Sequence, residues 1–222
     1  MDEMFFLKFL LIMERVGLFP LSLVLFPDSY YPLHIFEEKF KNLINNCINN
    51  YRVFGINLVT STKIFETGCT ASVSEVVRTY DDGKMDIIVK GIRRYKLRQI
   101  LTTESPYQEG EIDYYDDVEE DFNSILLDKC IEQYNHITEI VKSVIIEKIN
   151  PESFNVVFPS YTIAQKAGLT NIQKQKLLEL NSENERLSFL NEHLKMIIPM
   201  LKETEYISTI IKNDGYYNPQ KF

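Results

Sequence analysis

Catalytic or metal chemistry in this chain would have to come from three histidines, three cysteines and a few clustered carboxylates. None of His34, His136 and His193 stands within a short ligand spacing of another histidine or a cysteine, and Cys47, Cys69 and Cys130 form no CxxC pair, so no metal site is expected. The cysteines are odd in number and far apart, which argues against a disulfide framework and for buried, reduced thiols in a cytoplasmic protein. A Cys–His nucleophile would need the fold to bring Cys47 or Cys69 beside a histidine, and nothing in the sequence demands it. His136 and His193 fall on expected helices and His34 just before one, where surface or capping histidines are the ordinary case. Gly83-Lys84 is followed by Met85 and lacks the upstream glycine of a phosphate-cradling P-loop, and the dinucleotide fingerprint is missing as well. Asp81, Asp82 and Asp86 cluster where paired carboxylates could do acid–base work, but at a tight turn such residues serve as turn formers. Asp116-Asp117 with Glu119-Glu120-Asp121 lacks the alternating ligands and central glycine of a calcium loop and reads as a solvated acidic face. The expectation is no catalytic residue, no cofactor and no metal.

Charge narrows the binding partners. The 222 residues carry a formal net charge of −8, which disfavours a dominant nucleic-acid or anionic-membrane surface. A local exception is the segment 84–98, with six Lys or Arg against one Asp. Lys84, Asp86, Lys90, Arg94, Lys96 and Arg98 dominate one face of the expected strand, and such a face can contact phosphates. The segment 104–121 that follows holds nine Asp or Glu and no Lys or Arg, so cross-strand pairing is expected to neutralise that face.

Were the chain to bind protein, aromatic residues would be the favoured anchors. Tyr30 and Tyr31 sit beside prolines, and Tyr114 and Tyr115 sit beside the acidic stretch. Adjacent side chains of an extended chain point to opposite sides, so one of each pair is expected outside the core. Either these four tyrosines anchor a partner or they cover the ends of the β unit.

The elements that would position these residues fall into two halves. With 45% hydrophobic residues the chain can bury a sizeable core, and only eight Gly and eight Pro leave no long flexible linker. Leu18–Pro27 reads as a strand closed by prolines, and Asp28–Pro32 as a turn. Phe36, Phe40, Leu43, Ile44, Cys47 and Ile48 form one helical stripe that stops at Asn49-Asn50. Val53–Val59 reads as a buried strand. Ala71–Tyr80, Asp81-Asp82-Gly83 and Lys84–Ile100 predict a hairpin, because Asp-Gly supplies positive-φ residues. On the returning strand Met85, Ile87, Val89, Tyr95 and Leu97 share a face, and Gly91 marks a bulge or bend such as a barrel corner requires. A strand is expected at Gln108–Tyr114.

Helices are expected from about Val118. Phe122, Leu126, Cys130, Tyr134, Ile137, Val141, Val144 and Ile145 form a stripe ended by Pro151. Ser160 is placed to cap a short helix ending near Gly168. Thr170-Asn171-Ile172-Gln173 and Ser182-Glu183-Asn184-Glu185 fit the capping box, and the last helix runs to about Asn213 with a kink at Pro199. The apolar stretch Met4–Met13 follows Asp2 and Glu3, is interrupted by Lys8, has no small-x-small cleavage site and is too short to span a bilayer. It is expected to be an extra strand or helix on the domain, with translation from Met13 the other reading.

In order along the chain, several of these segments resemble the N-terminal substrate-binding (LON) domain of Lon proteases. Leu18-Phe19-Pro20-Leu21 and Val24-Leu25-Phe26-Pro27 resemble its opening strand, and Pro32-Leu33-His34-Ile35-Phe36-Glu37 its next signature. Phe54-Gly55-Ile56, Gly68-Cys69-Thr70-Ala71, Asp82-Gly83 and Gly91 with Arg94-Tyr95 follow in the family's order. Ile163-Ala164, Lys174–Leu180 and Arg186-Leu187 resemble its later pattern. Lys39-Phe40 stands where the family has Arg-Tyr, and Tyr95 where it has Phe. The resemblance covers roughly residues 16–200.

The resemblance implies an α+β fold: a PUA-like β pseudo-barrel over 13–117, a C-terminal helical subdomain of the same LON domain over 118–213, and a tail at 214–222. It also implies a binding role without chemistry. The expected function is a free-standing, non-catalytic protein-binding module, without the Lon ATPase or protease, that recognises unfolded or substrate proteins or serves as an adaptor in proteolysis or quality control. The alternative is RNA binding through the PUA-like barrel, which would depend on Arg94 and Arg98. An enzyme would need a deep pocket of convergent titratable groups. The partner is thus a protein or unfolded polypeptide of no named identity, with no membrane role, in the cytoplasm; the sequence sets no oligomeric state.

Overall fold

One long hairpin organises the β-rich part of the molecule. In the computed structural model, which describes residues 14–141, 147–154 and 156–212, the chain opens with β1 (Glu14–Leu21), β2 (Tyr30–Ile35), α1 (Glu38–Asn50) and β3 (Phe54–Val59). The hairpin follows as β4 (Ile64–Thr79) and β5 (Met85–Leu101), and β6 (Glu109–Tyr114) completes the strands. The Asp-Gly turn joins β4 and β5 as the sequence predicts, with Gly83 at φ 76°. The strand order is β2-β5-β4-β3-β1-β6, with β5 pairing again to β6. That last pairing closes β5, β4, β3, β1 and β6 into a ring, and β2 adds to the outside of the first half of β5. β1 and β3 are parallel, and every other pair is antiparallel.

The bend that closes the ring lies at Gly91. Register slips between the pairs Ala71↔Gly91 and Cys69↔Arg94, so β5 bulges there as its glycine predicts. The Gly91 N–H donates to the Ser29 carbonyl and its own carbonyl accepts from the Asp28 N–H, both at 2.9 Å. This brings the Phe26 carbonyl oxygen to within 2.1 Å of where a Cβ would stand, so no larger residue fits.

Two core clusters fill the β unit. Phe19, Ile35, Leu43, Ile44, Phe54, Ile87 and Val89 lie between the sheet and α1. Val16, Leu18, Tyr95 and Ile112 form the second. Phe36 does not belong to the helical stripe, because α1 begins only at Glu38. The expected strand over Leu18–Pro27 stops at Leu21, and the expected turn at Asp28–Pro32 is confined to its start; from Tyr30 the chain is already β2. Pro32 points to a turn, yet β2 pairs only with β5 among the described residues, so an edge strand tolerates its missing N–H.

The helices are α2 (Ser124–Ile140), α3 (Pro159–Lys166), α4 (Asn171–Glu179) and α5 (Glu183–Lys212). The chain divides into two compact units, the first running to Val118 and taking in Thr170–Asn181, the second comprising Glu119–Leu169 and the chain from Ser182. The sequence reading grouped all residues from 118 to 213; the contacts instead give α4 to the sheet. The Thr170–Gln173 capping box forms as predicted. From α4, Asn171 Nδ2 donates to the Ser22 carbonyl at 2.6 Å and Gln175 Nε2 to the Thr67 carbonyl at 3.0 Å.

In the second unit Cys130, Ile131, Tyr134 and Ile137 of α2 are buried, as are Tyr161 and Ile163 of α3 and Leu187, Leu190 and Leu194 of α5. α2 starts at Ser124, later than expected, and Phe122 is exposed. The reason is that the residues before α2 cap α5: the Glu120 carboxylate accepts from the Ser182 hydroxyl and the Asn184 N–H. Ser160 is not the N-cap of α3; Pro159 begins that helix, and the Ser160 hydroxyl donates to Glu183 and accepts from Arg186 Nε. Val144, Ile145, the stretch Met4–Met13 and the tail from Asn213 lie outside the described residues.

Candidate functional site

Alternation along β2 sends Tyr30, Pro32 and His34 to the outer face of the sheet, and Phe36 continues that side just past the strand end. All four are exposed, Tyr30 and Phe36 by 57% and 58%. Tyr31, also exposed, points the other way, on the side of Leu33 and the buried Ile35. The neighbouring strand sets the chemistry behind this row: Lys90, Ile88 and Asp86 of β5 pair in register with Tyr30, Pro32 and His34.

Asp86 is the fixed point of the row. Its Oδ1 lies 2.6 Å from His34 Nδ1 and its Oδ2 accepts from the Tyr80 hydroxyl at 2.7 Å. These two bonds, His34 first, hold its carboxyl below the usual carboxylate range. The His34 ring lies 6.1 Å from the Phe36 ring and 6.0 Å from that of Tyr80. Arg78 stacks over Tyr80, and Lys90 lies 5.9 Å above Tyr30. The result is an aromatic surface whose side chains are held by their neighbours, the low-entropy presentation that suits binding anchors.

The other tyrosine pair is differently placed. Tyr114 ends β6 half-buried against the second core cluster, under the Arg93 guanidinium. Burial pushes its hydroxyl up to about 12. Tyr115 donates to the Leu178 carbonyl at 3.2 Å and lies under Arg94. The sequence joined Tyr30, Tyr31, Tyr114 and Tyr115 as candidates; the fold sets the first pair on β2 at one end of β5 and the second beside β5's other end. Pro32, His34 and Phe36 were missed as parts of one surface, although Tyr30, Pro32, His34 and Phe36 already show the period-two spacing of a strand face.

The basic face expected on β5 is largely cancelled. Arg93 pairs with Asp116, Arg94 with Asp117 and Arg98 with Asp113, as the reversal of charge between the two segments predicts. Arg94 is not on the exposed face at all, being only 4% exposed. The bulge after Gly91 turns it inward, where it donates to the carbonyls of Leu178 and Leu180.

Among the described residues no nucleophile or metal cluster is assembled. All three cysteines are free and buried, with burial pushing Cys47 up to about 11 and Cys69 and Cys130 up to about 12. Among the described residues no group of three His, Cys, Asp or Glu could hold a metal ion. His193, expected at the surface or at a cap, is buried, and its Nε2–H faces the Ala167 carbonyl oxygen at 2.9 Å. Among the described residues no helix is long and apolar enough to cross a membrane.

The family model for the ATP-dependent protease La (LON) substrate-binding domain matches residues 15–196. The chain belongs to this family. The Lon protease of Cytophaga hutchinsonii is 25% identical over 213 residues, covering 87% of this chain and 25% of that protein. The chain thus spans about a quarter of the length of the curated relatives it matches. Among solved structures, the Lon N-terminal domain protein from Xanthomonas campestris superposes with a TM-score of 0.59 at 18% identity, over 80% of this chain and 96% of that one. The N-terminal domain of the Mycobacterium avium complex Lon protease gives 0.60 at 17%, over 82% and 98%. These likenesses establish the α+β fold of the Lon N-terminal domain. Both elements that carry the outer aromatic surface, β2 and the β4–β5 hairpin, lie within the matched residues.

Proposed function

We propose that this LON domain is a protein-binding module that captures extended, apolar segments of unfolded or substrate polypeptides, or acts as an adaptor, in proteolysis or quality control. The observation that carries the reading is the exposed row Tyr30, Pro32, His34 and Phe36, with its aromatic rings positioned by Asp86, Tyr80 and Lys90. Large exposed aromatic side chains on a rigid sheet bury much area at little entropic cost when a partner arrives. Tyr31 extends the surface around the strand edge; Tyr114 and Tyr115 lie beside the other end of β5, each with an arginine over one ring face. The compartment is read as the cytoplasm, a reading supported by three free thiols.

The test is binding of a reduced, carboxymethylated, permanently unfolded protein, followed by fluorescence anisotropy. The doubly substituted Tyr30→Ala/Phe36→Ala chain is expected to lose about tenfold or more in affinity, the effect of removing two interface anchors. Unchanged affinity in that variant overturns the assignment of this surface.

A further inference from the structure

A second surface lies on the opposite edge of the same three strands. β3 pairs with β4 only as far as Phe54↔Ala71, so Ser72–Thr79 of β4 has β5 on one side and, among the described residues, no strand on the other. A groove of about 300 Å³ runs along this open edge, between Val73, Glu75 and Val76 of β4 and Cys47, Ile48 and Tyr51 at the end of α1. An unpaired strand edge beside a helix offers backbone donors and acceptors on one wall and an apolar wall opposite, the arrangement that accepts an extended peptide as an added strand.

Two residues at the groove say what kind of peptide fits. Tyr51 has φ 51° and is 98% exposed. A left-handed conformation disfavours tyrosine relative to glycine or asparagine, so this position keeps an aromatic side chain at the groove rim against its backbone preference. The second is Arg52. Arg15, Arg93, Arg94, Arg98 and Arg186 each pair with a carboxylate, and Arg78 stacks on Tyr80; Arg52 has no carboxylate partner among the described residues. In a chain of net charge −8 that leaves a cation available at the groove end.

Direction follows from topology. A strand added beside Ser72–Val76 occupies the line of β3 extended backwards from Phe54. Antiparallel to β4, like β3, it runs towards Arg52 and Val53, where the chain climbing from α1 into β3 blocks the way. A continuous polypeptide cannot pass that point, but a chain end can stop there. Arg52 favours the end that carries a carboxylate and repels an amino terminus. Register slips at Ser74 and Val77 keep the regular edge short, so the added strand spans about three or four residues at 3.3 Å each.

We propose that this groove binds the C-terminal end of an extended apolar polypeptide as a short antiparallel strand on β4, with its terminal carboxylate on Arg52 and an apolar side chain against Cys47, Ile48 and Val73. The site goes beyond the β2 surface and uses none of its residues.

The probe is a fluorescein-labelled ten-residue peptide ending in Ala-Leu-Val, made with a free C-terminal carboxylate and again as the C-terminal amide, titrated against the full chain. The free acid is expected to bind about tenfold or more tighter than the amide, the worth of one charge-assisted pair. Arg52→Ala should remove that preference; Arg52 is exposed, and an unaltered circular dichroism spectrum checks the fold. Tyr30→Ala/Phe36→Ala should retain the preference, which separates failure here from failure of the β2 surface. Backbone amide resonances of Ser72–Val76 should shift on adding the free acid while those of Tyr31–Ile35 stay in place. Equal affinity for acid and amide, a preference that survives Arg52→Ala, or shifts confined to other strands overturns the proposal.

Discussion

Arg94 Nη1 donates to the Leu178 carbonyl oxygen at 3.1 Å, tying the bulge of β5 to the end of a helix 84 residues later in the chain. The same guanidinium donates to the Leu180 carbonyl and pairs with Asp117 while lying over the Tyr115 ring. One buried cation thus satisfies the last carbonyls of α4, where a positive charge also offsets the negative end of the helix. Removing it takes the cation from Asp117 and one donor from each of the Leu178 and Leu180 carbonyls. Arg94→Ala is expected to destabilise the protein by about 3–5 kcal/mol, the cost of breaking a buried pair. Arg94→Lys should recover only part of that, since an ammonium cannot reach three acceptors and stack on a ring at once. Urea denaturation of the three chains measures both effects.

Gly91 supports the second prediction. The Phe26 carbonyl would lie 2.1 Å from an alanine Cβ, and that carbonyl belongs to a turn hydrogen-bonded to the glycine on both sides. Backbone cannot yield as a flexible side chain would. Gly91→Ala should therefore cost about 2 kcal/mol or more through forced displacement of the turn. The same change at Gly168, where nothing lies within 4 Å of the Cβ position, should cost about 1 kcal/mol from its φ of 70° alone. Comparing the two by thermal denaturation separates steric from conformational cost.

The contrast explains what was legible in the sequence. The Asp82-Gly83 turn, the Gly91 bulge, the α1 stripe from Phe40 to Ile48 and the Thr170–Gln173 box are local patterns, and each appears where the spacing puts it. The misread elements depend on distant partners. Pro32 has the local signature of a turn, but β2 is an edge strand, where a missing N–H is tolerated. Arg94 looked like one of a row of surface cations, because alternation carries no sign of a bulge's exact effect on direction; only the fold shows carbonyls from residues 178 and 180 waiting for it. The aromatic surface is hidden likewise: Tyr30 and Pro32 fall in the expected turn and Phe36 in the expected helix, so the alternation from Tyr30 to Phe36 is divided between elements.

The thiols give a prediction that needs no substitution. Burial raises Cys47 to about 11 and Cys69 and Cys130 to about 12, so at pH 8 the thiolate fraction of each is about 0.001 or less, against roughly a quarter for a free cysteine. Iodoacetamide at pH 8 should leave the folded protein essentially unlabelled over the time in which a urea-unfolded sample takes up three adducts, read by intact mass. Rapid labelling of one native thiol would place that residue in a more open environment than its surroundings indicate.

Acid should act on the β2 surface through Asp86. Its carboxyl is held below the usual range by the bonds from His34 and Tyr80, so the folded protein binds this proton less readily than the unfolded chain does. A depressed carboxylate contributes stability that is fully present above its unfolded value and is lost as pH falls through the folded one. The affected window therefore lies below about pH 4, the ordinary aspartate value. Asp86→Asn cannot take up the proton, so its stability should vary less steeply with pH across that window than the parent chain's. Urea midpoints taken at intervals from pH 5 to pH 2.5 decide the matter. If the slopes of parent and Asp86→Asn coincide, the His34–Asp86–Tyr80 contact does not hold the aromatic row together, and the rigidity invoked for that surface must have another source.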